Sequence, residues 1–193
     1  MKTSQSRTGS SGSFFTINFA RPAVALLLLA TLATVRAGQG NDNRAPEVPA
    51  ALQVASTNKV SFHAYAVGVQ IYVWTINPTN AALASWVFKA PEAVLFDADG
   101  NVVGIHYAGP TWESESGSKV VGARVAGVTV DASAIPWLLL RATTTDGPGI
   151  LSRTTYIQRV NTEGGLAPTA AGTSVGQEAR TPYTAEYFFY RSH

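Results

Sequence analysis

The residues of this chain best equipped for chemistry stand within eight positions of one another: His106, Tyr107, Trp112 and Glu113, around a Gly109-Pro110 bend. An imidazole, a phenol, an indole and a carboxylate at that spacing can exchange hydrogen bonds with a ligand and stack on its flat or amphipathic face. Loops set on a rigid β scaffold are where binding residues concentrate. Tyr72, Trp74 and Trp86 would add stacking surface, and Arg159 a contact for an anionic group. The expected ligand is a small molecule or a carbohydrate of an envelope or wall, with Trp112 stacking and His106 and Glu113 hydrogen-bonding. The plainer reading of the same segment is core packing and a turn.

A rival reading is enzymatic. Two imidazoles and a carboxylate, from His63, His106 and Glu113, could hold a divalent metal with one open position, as in a metal-dependent hydrolase or oxidase. The histidines lie 43 positions apart, so their meeting would depend on strand pairing. No recognisable catalytic motif stands beside them. Gly172-Thr-Ser174-Val-Gly176 has the spacing of a nucleophile elbow but lacks the flanking strand and helix, and the only later histidine is the terminal His193. Asp97-Ala-Asp99-Gly-Asn101 opens like a calcium loop, yet Val102 and Ala108 fall where that loop needs Gly and Glu. The chain has no dinucleotide fingerprint and no phosphate loop, so a dinucleotide-dependent dehydrogenase is excluded and no cofactor is expected. With no Cys there is no disulfide scaffold or thiolate chemistry. A third reading is a structural or surface-interaction protein without a pocket, because Tyr183–Tyr190 is aromatic on both faces and should be a central strand or an interface.

The elements that must position these residues are strands. Between residues 38 and 193, Val, Ile and Thr number 38 against 23 for Leu, Glu, Lys and Gln, a balance that suits pleated surfaces. Residues 60–76 alternate, with Val69, Ile71 and Val73 on one face, Gln70, Tyr72 and Trp74 on the other, and a bulge expected at Gly68. Residues 93–107 read as a hairpin about Gly100. Further strands are expected at 119–130, 137–145, 151–160 and 183–190, with a turn at Asp146-Gly-Pro-Gly149. Only Asn80–Trp86, rich in Ala, reads as helical. The fold class expected is all-β, an antiparallel β-sandwich or small barrel in a single domain.

That domain is expected over residues 51–193, after a flexible lead-in at 38–50 and a cleavable signal helix at 1–37. The apolar run Ala23–Val35 follows a stretch with Lys2, Arg7 and Arg21 and no acid, the layout of a secretory leader cut after Ala37. Its 13 residues reach about 20 Å as a helix, short of a ~30 Å bilayer core, so no permanent membrane span is expected. The expected location is secreted or periplasmic. The whole chain carries +2, but residues 38–193 hold 10 basic and 12 acidic residues, net −2. The basic character belongs to the leader, and nucleic-acid binding is excluded for want of a phosphate-binding footprint.

Four strings carry a wider likeness: Gly68-Val-Gln-Ile-Tyr72; His106–Glu113 with Gly117-Ser118; Trp137-Leu-Leu-Leu140; and Tyr156–Gly165 with Ala167-Pro168. Pro182–Tyr190 adds a fifth. Together they resemble the secreted bacterial and fungal proteins grouped as domain of unknown function 3455, over residues 48–190 in order. The resemblance implies a fold and a secreted location, and no activity, since the family is uncharacterised. Some fungal members carry a malate dehydrogenase label, against which the missing fingerprint argues here. Many relatives have a Cys two residues after the tyrosine matching Tyr72 and another after the match to Ala167-Pro168. This chain has Trp74 and Ala171-Gly172 there, so packing around Trp74 would have to replace a bridge worth ~2–5 kcal/mol.

Overall fold

The computed structural model describes residues 44–193; the leader expected at 1–37 and the first part of the lead-in, 38–43, lie outside them. Eight antiparallel strands follow in chain order: β1 (Asn58–Asn77), β2 (Asn80–Phe96), β3 (Val102–Tyr107), β4 (Thr111–Ser114), β5 (Lys119–Val128), β6 (Trp137–Asp146), β7 (Tyr156–Gly164) and β8 (Glu178–Ser192). Each pairs with its neighbour in sequence, and β8 returns to β1, so the sheet closes into a barrel. Of the two architectures expected, the barrel is the one adopted. Closure removes both free edges, which an open sheet of such long strands would have to protect.

Alternation decides what fills it. Ala64, Ala66, Leu95, Trp112, Val120, Tyr187 and Phe189 join the inner core, each between 0% and 1% exposed. Ala64 of β1 stands in register with Tyr187 of β8, a pairing of small with large that helps fill a small barrel. On the outer face of β8, Phe188 and Tyr190 form a second cluster with Val60 and Val160, and Val48 and Val54 pack over it. The chain before β1 is therefore a cover as well as a lead-in: Leu52 is fully buried in a short 3-10 turn, Ala50–Leu52. The Gln158 amide donates to the Leu52 carbonyl at 2.6 Å and accepts from the Tyr190 hydroxyl at 2.5 Å. The expectation that residues 183–190 form a central strand holds, since β8 pairs with both β1 and β7.

The turn at Gly100 also forms as expected. Gly100 has φ +83°, and an Asp97 carboxylate oxygen accepts from the Asp99 and Asn101 amides at 2.9 and 2.8 Å. That carboxylate closes a turn instead of holding calcium.

Three local expectations are corrected. Asn80–Trp86 is the start of β2, not a helix, because it pairs with the far end of β1 at Trp74↔Trp86 and Ile76↔Ala84. The register shifts in β1 fall at Val60/Phe62, Ile71/Tyr72 and Ile76/Asn77 rather than at Gly68. Gly68 is needed for close approach instead, since a Cβ there would strike the Glu92 carbonyl. Finally, β7 begins at Tyr156, not Leu151, because the 147–149 turn runs on through bonds from the Ser152 and Thr154 amides to Gly149 and Leu151.

Candidate functional site

His106 and Trp112 face each other in register across the β3–β4 hairpin. Both side chains point into the barrel, 3% and 1% exposed, and their rings stack at 4.4 Å and 10°. Tyr187 from β8 meets both edge-on, at 5.1 and 5.4 Å. The ring expected to stack on a ligand thus spends one face on His106. The next residue along each strand must face outward, and Tyr107 and Glu113 do so. The Tyr107 hydroxyl donates to the Glu113 carboxylate at 2.9 Å, and Lys119 pairs with it at 3.2 Å. The Tyr107 bond first, and Lys119 after it, hold the Glu113 carboxyl below its ordinary range. The segment proposed as one site is therefore divided by the barrel wall.

Burial pushes the His106 imidazole down to about 3, against the bond to Thr111, and the Arg159 charge lowers it further. The ring is neutral at physiological pH. Its Nδ1 lies 2.8 Å from the Thr111 carbonyl, which can only accept, so Nδ1 carries the proton and Nε2 is left as an acceptor. Arg159 comes in from β7, where its Nε and Nη2 donate to the Pro136 carbonyl at 3.2 and 2.8 Å. Among the described residues no carboxylate lies within ion-pairing distance of this guanidinium. Burial raises the Tyr187 hydroxyl despite the pull of Arg159, so that group is also uncharged.

These groups line one cavity of about 260 Å³, together with Leu138 and Leu140 of β6. Phe88, Lys89 and Pro91 of β2 and the Gly109-Pro110 turn complete it; Phe88 is half exposed. The topology accounts for its place. β3 and β4 are short, and β3 pairs with β2 only as far as Ala93↔His106, whereas β1 and β2 run on together to Asn77↔Asn80. The wall is lower at that hairpin, and the interior opens beside it.

Of the five residues singled out from sequence, His106, Trp112 and Arg159 come together, and Tyr107 and Glu113 do not. The metal alternative is not assembled. His63 lies on the outer face, stacked on Phe188 at 4.0 Å and bonded to Glu186 at 2.8 Å, while His106 is inside. Among the described residues no group of three or more His, Asp or Glu side chains could hold a metal. Tyr187, Leu138 and Leu140 were missed as cavity residues. Their alternation with Phe188 and Leu139 placed them on one face of a strand, but nothing local says that this face meets His106.

A closed eight-stranded antiparallel barrel with a cavity at one end, lined by an unpaired cation, neutral aromatics and leucines, is the class that fold and site define. The chain belongs to the family described as "Protein of unknown function (DUF3455)", whose model matches residues 55–191. The resemblance read from the sequence strings is thereby established. No curated protein matches the chain, and no solved structure does.

Proposed function

We propose that this protein is an exported small-molecule-binding barrel whose ligand occupies the cavity beside His106, Trp112 and Arg159. The observation that carries the reading is the cavity itself: about 260 Å³ left open in a barrel whose core is otherwise packed by residues such as Leu95, Val120 and Phe189. Protein interiors close such space unless something uses it. The lining also has the composition of a ligand site, apolar walls with a few convergent polar groups. A small ligand fits this reading better than a wall polysaccharide, since Trp112 at 1% exposure presents no open platform to a long chain. An enzymatic reading has no assembled constellation to support it, as His63 and Glu113 both face outward.

The test is to fill the cavity. Leu138→Trp should keep the far-ultraviolet signature of the barrel while occupying the space. Small apolar probes such as indole, benzyl alcohol and benzoate should raise the melting temperature of the unaltered protein by mass action and lose that effect in the variant. The reading is wrong if no probe shifts the unaltered protein, or if the shift survives in Leu138→Trp.

A further inference from the structure

Arg159 is a cation in the wrong place for an empty barrel. Arg159 is half-buried at the cavity, and a guanidinium keeps its charge there. Two of its five donors go to the Pro136 carbonyl, a neutral partner, and the described residues bring it no counter-charge. The other polar groups around the cavity do not supply one. His106 is neutral, the Tyr187 hydroxyl keeps its proton, and Lys89 at the cavity edge is already paired with Glu178. A half-buried charge without a charged partner has lost part of its hydration, and an incoming anion would compensate that loss.

We propose that the ligand is a compact hydrophobic monocarboxylate, its carboxylate on Arg159 and its apolar body against Leu138, Leu140 and Pro110. This rests on the reading of the cavity as a binding site and adds the chemical class. Three features of the lining select it. The Arg159 donors not spent on Pro136, which also reach the Tyr187 hydroxyl, belong to a planar fork that suits a carboxylate. One negative charge balances one guanidinium, whereas a phosphate dianion would leave surplus charge in an interior dry enough to keep imidazole neutral. The lone pair of His106 Nε2 adds to this, repelling a second anionic oxygen and accepting from a hydroxyl. Size sets the remaining limit: about 260 Å³ is roughly nine water volumes at ~30 Å³ each, room for a ring or a short branched chain and not for a long fatty tail.

The test compares benzoate, its uncharged isostere benzamide and phenyl phosphate by titration calorimetry on the protein from residue 38 onward, and on Arg159→Met and Arg159→Lys. Benzoate should bind about tenfold or more tightly than benzamide, the loss expected for one charge-assisted pair. Phenyl phosphate should bind more weakly than benzoate. Arg159→Met should erase the preference for the acid and leave benzamide binding in place, while Arg159→Lys should keep part of it. If Arg159→Met does not fold, the acid-to-amide ratio of the unaltered protein and the lysine variant still decide. Equal binding of acid and amide, a preference for the phosphate, or a preference that survives Arg159→Met would overturn the monocarboxylate assignment and leave the cavity reading standing. No heat from any of the three would overturn the cavity reading with it.

Discussion

His106 cannot take up a proton where it stands without giving up its stack on Trp112 or drawing water into the core. The unfolded chain protonates this ring near its ordinary value of 6.5, the folded chain only near 3. Because the folded pKa is depressed for a base, the unfolded state binds the extra proton between those values. Stability is therefore full above about pH 6.5 and falls as the pH drops from there toward 3, by about 1.4 kcal/mol for each unit of the shift. Thermal melting of the unaltered protein should lose stability more steeply from pH 6.5 to 4 than His106→Phe, even if the variant is less stable at pH 7. Parallel curves would mean that His106 is not held neutral by the fold. The sequence showed that His106 and Trp112 belong together but not that they are buried. Eight adjacent positions carry the right chemistry for a surface site and for a core hairpin alike, and which face turns inward depends on a partner strand, β8, some 80 residues away.

Strand identity was legible where residues alternate, as in β1, where apolar and aromatic residues run together, as in β6 and β8, and at the Asp97–Asn101 turn, whose glycine and carboxylate are local signals. It failed at Asn80–Trp86, where the Ala-rich local preference is helical and a long-range pairing with β1 overrides it. The same end of the long hairpin shows what stands at the positions where the family resemblance implies a bridge. Trp74 meets Trp86 edge-on at 5.3 Å, and its ring lies against Gly172, where any Cβ would collide with it. The Gly176 amide donates to the Trp74 carbonyl at 2.9 Å, the Trp74 amide to the Gln177 carbonyl at 2.9 Å, and the Trp86 indole to the Ala170 carbonyl at 2.8 Å. A tryptophan pair thus clamps the 168–177 segment that a disulfide would otherwise tie down. Trp74→Ala should free it, with thermolysin cutting before the exposed Val175 severalfold faster while the rest of the barrel stays resistant. An unchanged cleavage rate at Val175 would show that the backbone bonds alone hold this segment.

The barrel closes only through its last strand. β8 supplies Tyr183, Tyr187 and Phe189 to the core and pairs with β1 from Asn58↔Ser192 to Val73↔Glu178, so no closed wall exists until nearly the whole chain is present. Folding dominated by such distant pairings is slow, on the order of milliseconds to seconds. That kinetics suits the export we propose. A secretory signal of this layout, without a twin arginine, passes an unfolded chain, and a chain whose first strand waits for its last stays unfolded long enough to be passed. On the export reading, removal of residues 1–37 would turn the +2 of the whole chain into −2. Expressed with its leader, the protein should be recovered outside the cytoplasm with Gly38, or a residue within a few positions of it, as its first residue by mass spectrometry. Deleting residues 2–37 should leave it in the cytoplasm. Recovery of the intact chain inside the cell with Met1 and the apolar run still attached would overturn both the export reading and the argument from late closure.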